Sequence, residues 1–240
     1  MTDRYPIPSA PLALNSKLTA ESYAGEFRAK GRVQIRDLLT ESSARALLHK
    51  LQSDTPWTVT YNEGERECEV EHYDPNFRVR LTHSAWERAR THFQYIYDRY
   101  ALSWNHEPNP DLDRYYAGVV EFLNALEFLN LMREITGLEE IAWTDGQATK
   151  YGPGDFLTAH DDDSKLAKRL VAYVLNMTPL WRPDLGGVLE FIDDKGNIAE
   201  GYVPAFNVLN IFLVPARHAV SAVTPFGGLR YAITGWLHAA

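Results

Sequence analysis

From residue 141 onward the chain breaks into eight short runs of β-forming residues, at 141–151, 156–160, 169–177, 187–193, 198–203, 207–214, 218–223 and 229–237, separated by Gly, Pro, Asp and Asn. Runs of this kind, set between breaker residues, predict short strands. Eight of them in roughly 100 residues predict an antiparallel sandwich or barrel, and a jelly roll has eight strands.

The stretch before residue 140 has a different texture. Residues 33–39 read as a short strand. Thr40 is placed to cap a helix that runs to about residue 52, with apolar positions at Ala44, Leu47, Leu48 and Leu51. Residues 57–82 predict irregular strands with a hairpin near Asn62-Glu63-Gly64. Helical patterns follow at 85–102 and 118–136, and Gly137 suits the C-cap of the second. The first 16 residues hold three prolines and little periodicity, which predicts a loose arm. No linker composition separates these parts. The chain therefore reads as a single domain over 1–240, mostly β with flanking helices (α+β): an arm at 1–16, a helical and mixed support at 17–140, and a β core at 141–240. Its 240 residues, 45% hydrophobic, suffice for one well-buried domain.

The formal net charge of −8 disfavours non-specific contact with nucleic acid or an anionic membrane, although Lys165, Lys168 and Arg169 predict a local basic patch. The single cysteine, Cys68, excludes an intrachain disulfide and suits a reducing compartment. No apolar run reaches the length of a signal-peptide core at the start or of a membrane span anywhere. The expected address is the cytoplasm.

The central motif is His160-Asp161-Asp162. In an extended segment residues i and i+2 point to the same side, so His160 and Asp162 can offer an imidazole nitrogen and a carboxylate oxygen to one ion. A third ligand must come from elsewhere, and His218 follows the apolar run 208–214 and Pro215 at the mouth of the next strand. Two histidines and a carboxylate on one face of an octahedron leave three positions open, the arrangement of iron(II) oxygenases. By itself His-x-Asp is a common chance pattern, and an acidic turn in water is the commoner explanation of residues 160–163. His49, His72, His83, His92 and His106 show no ligand-like spacing, and His238 falls in the last strand.

The last run, 229–237, carries the second element. Alternation puts Arg230, Ala232, Thr234 and Trp236 on one face. An arginine there can bind the distal carboxylate of a dicarboxylate such as 2-oxoglutarate through two hydrogen bonds, with Thr234 adding a donor. Tyr173 lies in a core strand, and Tyr151 opens the tight turn Gly152-Pro153-Gly154 just before the metal pair.

These motifs, in their order, resemble a known family. The set 150–157, His160-x-Asp162, His218-x-Val220 and 230–236 resembles the prolyl-hydroxylase branch of the 2-oxoglutarate/Fe(II)-dependent dioxygenases. The stretch 181–189 and the ending 235–238 are similar to the catalytic domain of the ribosomal prolyl 3-hydroxylases. The resemblance covers about 145–239. It implies a double-stranded β-helix core, His160, Asp162 and His218 as iron ligands, Arg230 on the distal carboxylate, and Tyr173, Thr234 and Tyr151 lining the 2-oxoglutarate pocket. Fe(II), 2-oxoglutarate and dioxygen are the implied reaction partners, with ascorbate as reductant. The eukaryotic ribosomal enzymes carry a second, related domain, and these 240 residues are expected to hold one such domain. The chain departs from them in Arg217, which stands where an aromatic residue is common.

Three functions fit at this point: a hydroxylase of prolyl residues in a peptide or protein, a hydroxylase of a free amino acid or other small metabolite, and a non-catalytic β-roll binding module. The intact set of ligands and Arg230 argues against the third. Residues 57–82, with Trp57, Tyr61 and Tyr73, are the expected place for an element that covers substrate.

Overall fold

The computed structural model describes residues 12–71, 74–104, 107–163 and 168–240. His72, Tyr73, His106, Lys165 and the arm up to residue 11 lie outside them. In chain order the elements are α1 (Glu21–Lys30), β1 (Arg32–Arg36), α2 (Glu41–Ser53), β2 (Thr58–Glu63), β3 (Arg66–Val70), α3 (Pro75–Ala89), β4 (Tyr95–Ala101), β5 (Ser103–Trp104), β6 (Glu107–Pro108), α4 (Arg114–Leu123) and α5 (Leu126–Thr136). The β-rich half follows with β7 (Ile141–Thr144), β8 (Gln147–Tyr151), β9 (Phe156–His160), β10 (Arg169–Met177), β11 (Leu189–Ile192), β12 (Ile198–Tyr202), β13 (Phe206–Leu213), β14 (His218–Val220) and β15 (Arg230–Ala239).

The eight expected runs all hold strands. The first is split in two: the chain bends at Asp145-Gly146, and β7 and β8 pair with successive parts of β15. The helix at 41–53 starts where its cap predicts, with the Thr40 hydroxyl accepting from the Ser43 N–H at 3.4 Å.

Four expectations need correction. Residues 75–82 are helical, because Asp74 caps α3 by accepting from the Phe77 N–H at 2.8 Å and Pro75 fits the first turn. The helix expected over 85–102 ends at Ala89, and Tyr95–Ala101 is the strand β4, inserted among β2, β8 and β9. The helix expected over 118–136 is two, α4 and α5. The Asn124 side chain fixes the break by bonding both the N–H and the carbonyl of Thr144 at 3.0 Å. The described end of the arm is tied down: Leu12 is buried, and the Asn15 N–H donates to the Leu38 carbonyl at 2.9 Å.

The main sheet runs β1-β13-β10-β15-β8-β4-β9-β14-β11-β12. It curls until its ends meet: the Phe191 ring of β11 lies 5.2 Å from Phe212 of β13, and the Arg32 guanidinium of β1 lies 4.6 Å from the Phe191 centroid. The result is an antiparallel jelly roll with two apolar layers. On β10, Val171, Tyr173, Leu175 and Met177 pack outward against the helices, while Ala172 and Val174 point into the roll. On β15, Tyr231, Ile233 and Leu237 pack outward and Ala232 inward. Burial on both faces explains why these runs read as nearly continuous apolar sequence.

Candidate metal centre and its pocket

β9 ends at His160, β14 begins at His218, and the two residues are direct partners across the ladder. Their rings stand 4.2 Å apart, centroid to centroid. Asp162 lies past the end of β9 with φ 61°, so a left-handed turn, not strand alternation, brings its carboxylate to the histidines. Its oxygens lie 3.2 Å from His160 Nε2 and 3.5 Å from His218 Nε2. Among the described residues, His160, Asp162 and His218 form a group whose ligand atoms all lie within 4.8 Å of one another.

The histidine orientations are set by backbone. His160 Nδ1 bonds the Thr158 carbonyl at 3.0 Å, and His218 Nδ1 bonds the Ala216 carbonyl at 2.7 Å. A carbonyl accepts only, so each Nδ1 carries the proton and each Nε2 lone pair is directed at the shared space. Burial, followed by the His160 neighbour, pushes the His218 imidazole below the ordinary histidine range. Burial alone would raise Asp162. The contacts with His160 and His218 outweigh it and hold the carboxyl below its usual range. The two shifts favour an ionised Asp162 and a neutral His218, the forms that bind a metal. The donor set, two neutral imidazoles and one carboxylate on one side, suits a divalent transition metal with open positions.

Arg230 is only 3% exposed. Its Nε and Nη1 have no hydrogen-bond partner, and no carboxylate among the described residues pairs with it. Burial pulls the guanidinium below the usual arginine range. A buried charge without a counter-ion is costly, and the economical explanation is a site shaped for an anion. Tyr151 is its direct partner across β15–β8, with the ring centroid 5.1 Å from the guanidinium carbon. Thr234 lies on the same face and accepts from Gln147 Nε2 at 3.4 Å.

Tyr173 is placed elsewhere. Its ring belongs to the helix-facing layer and its hydroxyl donates to the Asp145 carbonyl at 2.8 Å, on the opposite face of the sheet from Arg230. Gly235 opposite it has no room for a Cβ, which would lie 2.5 Å from that carbonyl. Trp57 and Tyr61 are also committed to packing, Trp57 against Tyr231 and Tyr61 under α3. His238 is buried, stacked on Trp143 and 3.2 Å from Asp145 Oδ2, a structural role.

Sequence reasoning missed two residues on the inward face of the roll. Tyr97 stacks on Tyr151 at 4.7 Å and 11° and was hidden in a segment read as helix. Asn176 is buried on the inward face of β10, opposite Ala232, with its Oδ1 unpartnered. An asparagine inside an apolar strand was the available signal. From Tyr97 an aromatic file runs outward through Tyr95 (5.6 Å) and Phe93 (5.8 Å further) to a Phe93 ring 5.5 Å from His160. Phe93 is 45% exposed, so the file reaches the surface beside the metal site.

A buried ionic group braces the strands behind. Arg78 of α3 pairs with Asp155 and with Asp98, and Lys150 pairs with Asp98 at 2.7 Å. Burial pushes the Asp155 carboxyl up to about 7, against the opposing pull of Arg78.

Residues 146–238 match the model of the 2OG-Fe(II) oxygenase superfamily. Prolyl 3-hydroxylase OGFOD1 of Xenopus laevis is 34% identical over 119 residues, which cover 47% of this chain and 23% of that protein. Prolyl 3-hydroxylase sudestada1 of Drosophila melanogaster is 23% identical over 211 residues, 77% of this chain and 39% of that protein. The chain thus spans less than half the length of these curated relatives. A crystal structure of a Pseudomonas putida prolyl-4-hydroxylase shares the fold with a TM-score of 0.59 at 17% identity, covering 92% of this chain and all of that one. No helix among the described residues is long and apolar enough to cross a membrane.

Proposed function

We propose that this chain, whose residues 146–238 match the model of the 2OG-Fe(II) oxygenase superfamily, is a member of that superfamily and an Fe(II)- and 2-oxoglutarate-dependent hydroxylase of prolyl residues in a peptide or protein. The observation that carries this reading is the unpaired, buried Arg230 inside the same roll as the converging His160, Asp162 and His218. A metal triad and an anion receptor inside one roll suit a metal-chelating dicarboxylate.

His160 Nε2, His218 Nε2 and one Asp162 oxygen would hold iron(II). Arg230 would receive the distal carboxylate of 2-oxoglutarate through its planar fork. Tyr151 and Tyr97 wall that end, and Thr234 and Asn176 offer polar contacts along it. Iron and 2-oxoglutarate, once bound, would supply the oxygen activation: 2-oxoglutarate would lose carbon dioxide and take one atom of dioxygen to become succinate, and the other atom would end as a hydroxyl on the substrate. The protein's share is to orient these groups and to keep water from the inner, apolar part of the pocket.

The exposed end of the aromatic file, at Phe93, favours a substrate that approaches from outside over one closed in a small cavity. Aromatic faces also suit the apolar ring of proline. The names of the curated relatives point the same way. Ascorbate as reductant, a cytoplasmic address and the organisation of 1–240 as one domain belong to the same reading.

The first test is an anaerobic iron(II) titration. A 2-oxoglutarate-dependent visible absorption band is expected, and its absence rejects the assignment. The second is mass spectrometry of a proteome with and without the protein, where one added oxygen on proline is expected. Oxygen added to a free metabolite instead would move the substrate class.

A further inference from the structure

Asp162 stands in the left-handed region, which a residue with a Cβ avoids unless its surroundings hold it there. The surroundings are specific. Arg169, at the start of β10, donates from Nη1 to the Asp162 carbonyl at 3.2 Å. Its guanidinium carbon lies 3.6 Å from the centroid of the Trp236 ring, a close cation–π stack. Trp236 is itself fixed, because its backbone N–H donates to Asp145 Oδ1 at 2.7 Å. The buried indole N–H makes no hydrogen bond among the described residues. Arg169 therefore does not contribute to a surface basic patch. It is folded inward, against the metal centre.

We infer that Arg169 and Trp236 are positioning residues: the guanidinium, stacked on the indole, ties down the main chain of Asp162 and so sets the direction from which its carboxylate meets an ion shared with His160 and His218. The guanidinium addresses the carbonyl, so both carboxylate oxygens stay turned to the imidazoles. Lysine cannot replace it, since a point-like ammonium neither stacks as a plane nor presents a fixed fork. The inference rests on the reading of His160, Asp162 and His218 as metal ligands.

The test is Co(II) binding by the metal-free full chain, read by visible absorption, with thermal melting of each metal-free variant as the fold check. The variants are Arg169→Met, Arg169→Lys, Trp236→Phe and Asp162→Ala. Loss of an outer partner of a metal ligand costs about 10–100-fold in affinity, and that loss with a shifted absorption band is expected for Arg169→Met and Arg169→Lys. Trp236→Phe keeps a smaller ring under the guanidinium and removes the indole N–H with part of the stacking surface, so a smaller loss than for the Arg169 variants is expected. Should Arg169→Met fail to fold, Arg169→Lys and Trp236→Phe carry the comparison. Wild-type affinity and spectrum in the Arg169 and Trp236 variants, with binding lost in Asp162→Ala, overturn the positioning role and leave the ligand set standing. Unchanged binding in Asp162→Ala overturns the ligand reading itself, and the positioning role with it.

Discussion

Arg230 and Tyr151 face each other across the β15–β8 ladder, the guanidinium carbon 5.1 Å from the ring centroid, and this contact with the ring is what the fold offers a buried cation that lacks a counter-ion. A charge kept at such a cost marks a site whose stability and ligand binding oppose each other.

Arg230→Met is therefore expected to make the ligand-free protein more stable, by on the order of 1 kcal/mol or more, since an apolar side chain of similar length replaces an uncompensated charge. The same change is expected to weaken 2-oxoglutarate binding at least about tenfold, the loss of a charge-assisted bidentate contact. Urea denaturation and calorimetric titration check the two halves. A variant that is less stable and binds normally would remove Arg230 from its role.

The metal site predicts linkage to stability. A divalent transition metal at about 100 times its dissociation constant should add roughly 2.7 kcal/mol, reversed by a chelator. His218→Gln should abolish that increment while leaving β14 paired with β9 and β11. Thermal melts with and without metal decide it, and a metal increment that survives in the variant rejects His218 as a ligand.

Asp155 predicts a pH dependence of stability. Burial raises its folded carboxyl from 3.8 to about 7, so between those values the folded chain holds a proton that the unfolded chain has lost. Its contribution is fully present below about pH 4 and is lost as pH rises to about 7. Asp155→Asn cannot titrate. The stability difference between wild type and variant should thus slope across this window and level off above it. A difference independent of pH would show that Arg78 keeps Asp155 ionised throughout.

Phe93 tests the approach to the metal. It is half exposed, so Phe93→Ala should change stability by no more than about 0.5 kcal/mol. Its effect should fall on peptide substrate, as a raised KM with little change in 2-oxoglutarate binding. Equal KM values in wild type and variant would direct the search for the substrate path elsewhere.

The pocket also separates what can be read along a chain from what cannot. His160, Asp162, His218 and Arg230 were legible because their chemistry is rare in such an order and because short β runs between breakers mark strands by local preference alone. Tyr97 was not, since a tyrosine-rich run beside a true helix satisfies both periods until neighbouring strands claim it. Tyr173 misled for a related reason: β10 is apolar on both faces, so alternation gives no sign of which face lines the pocket, and the outward layer took its ring. The strand runs from residue 141 onward and their chemical inventory were thus set by local sequence. The left-handed turn at Asp162, the inward fold of Arg169 and the isolation of Arg230 were decided only when distant strands closed on one another, because backbone conformation against local preference is held by tertiary contacts.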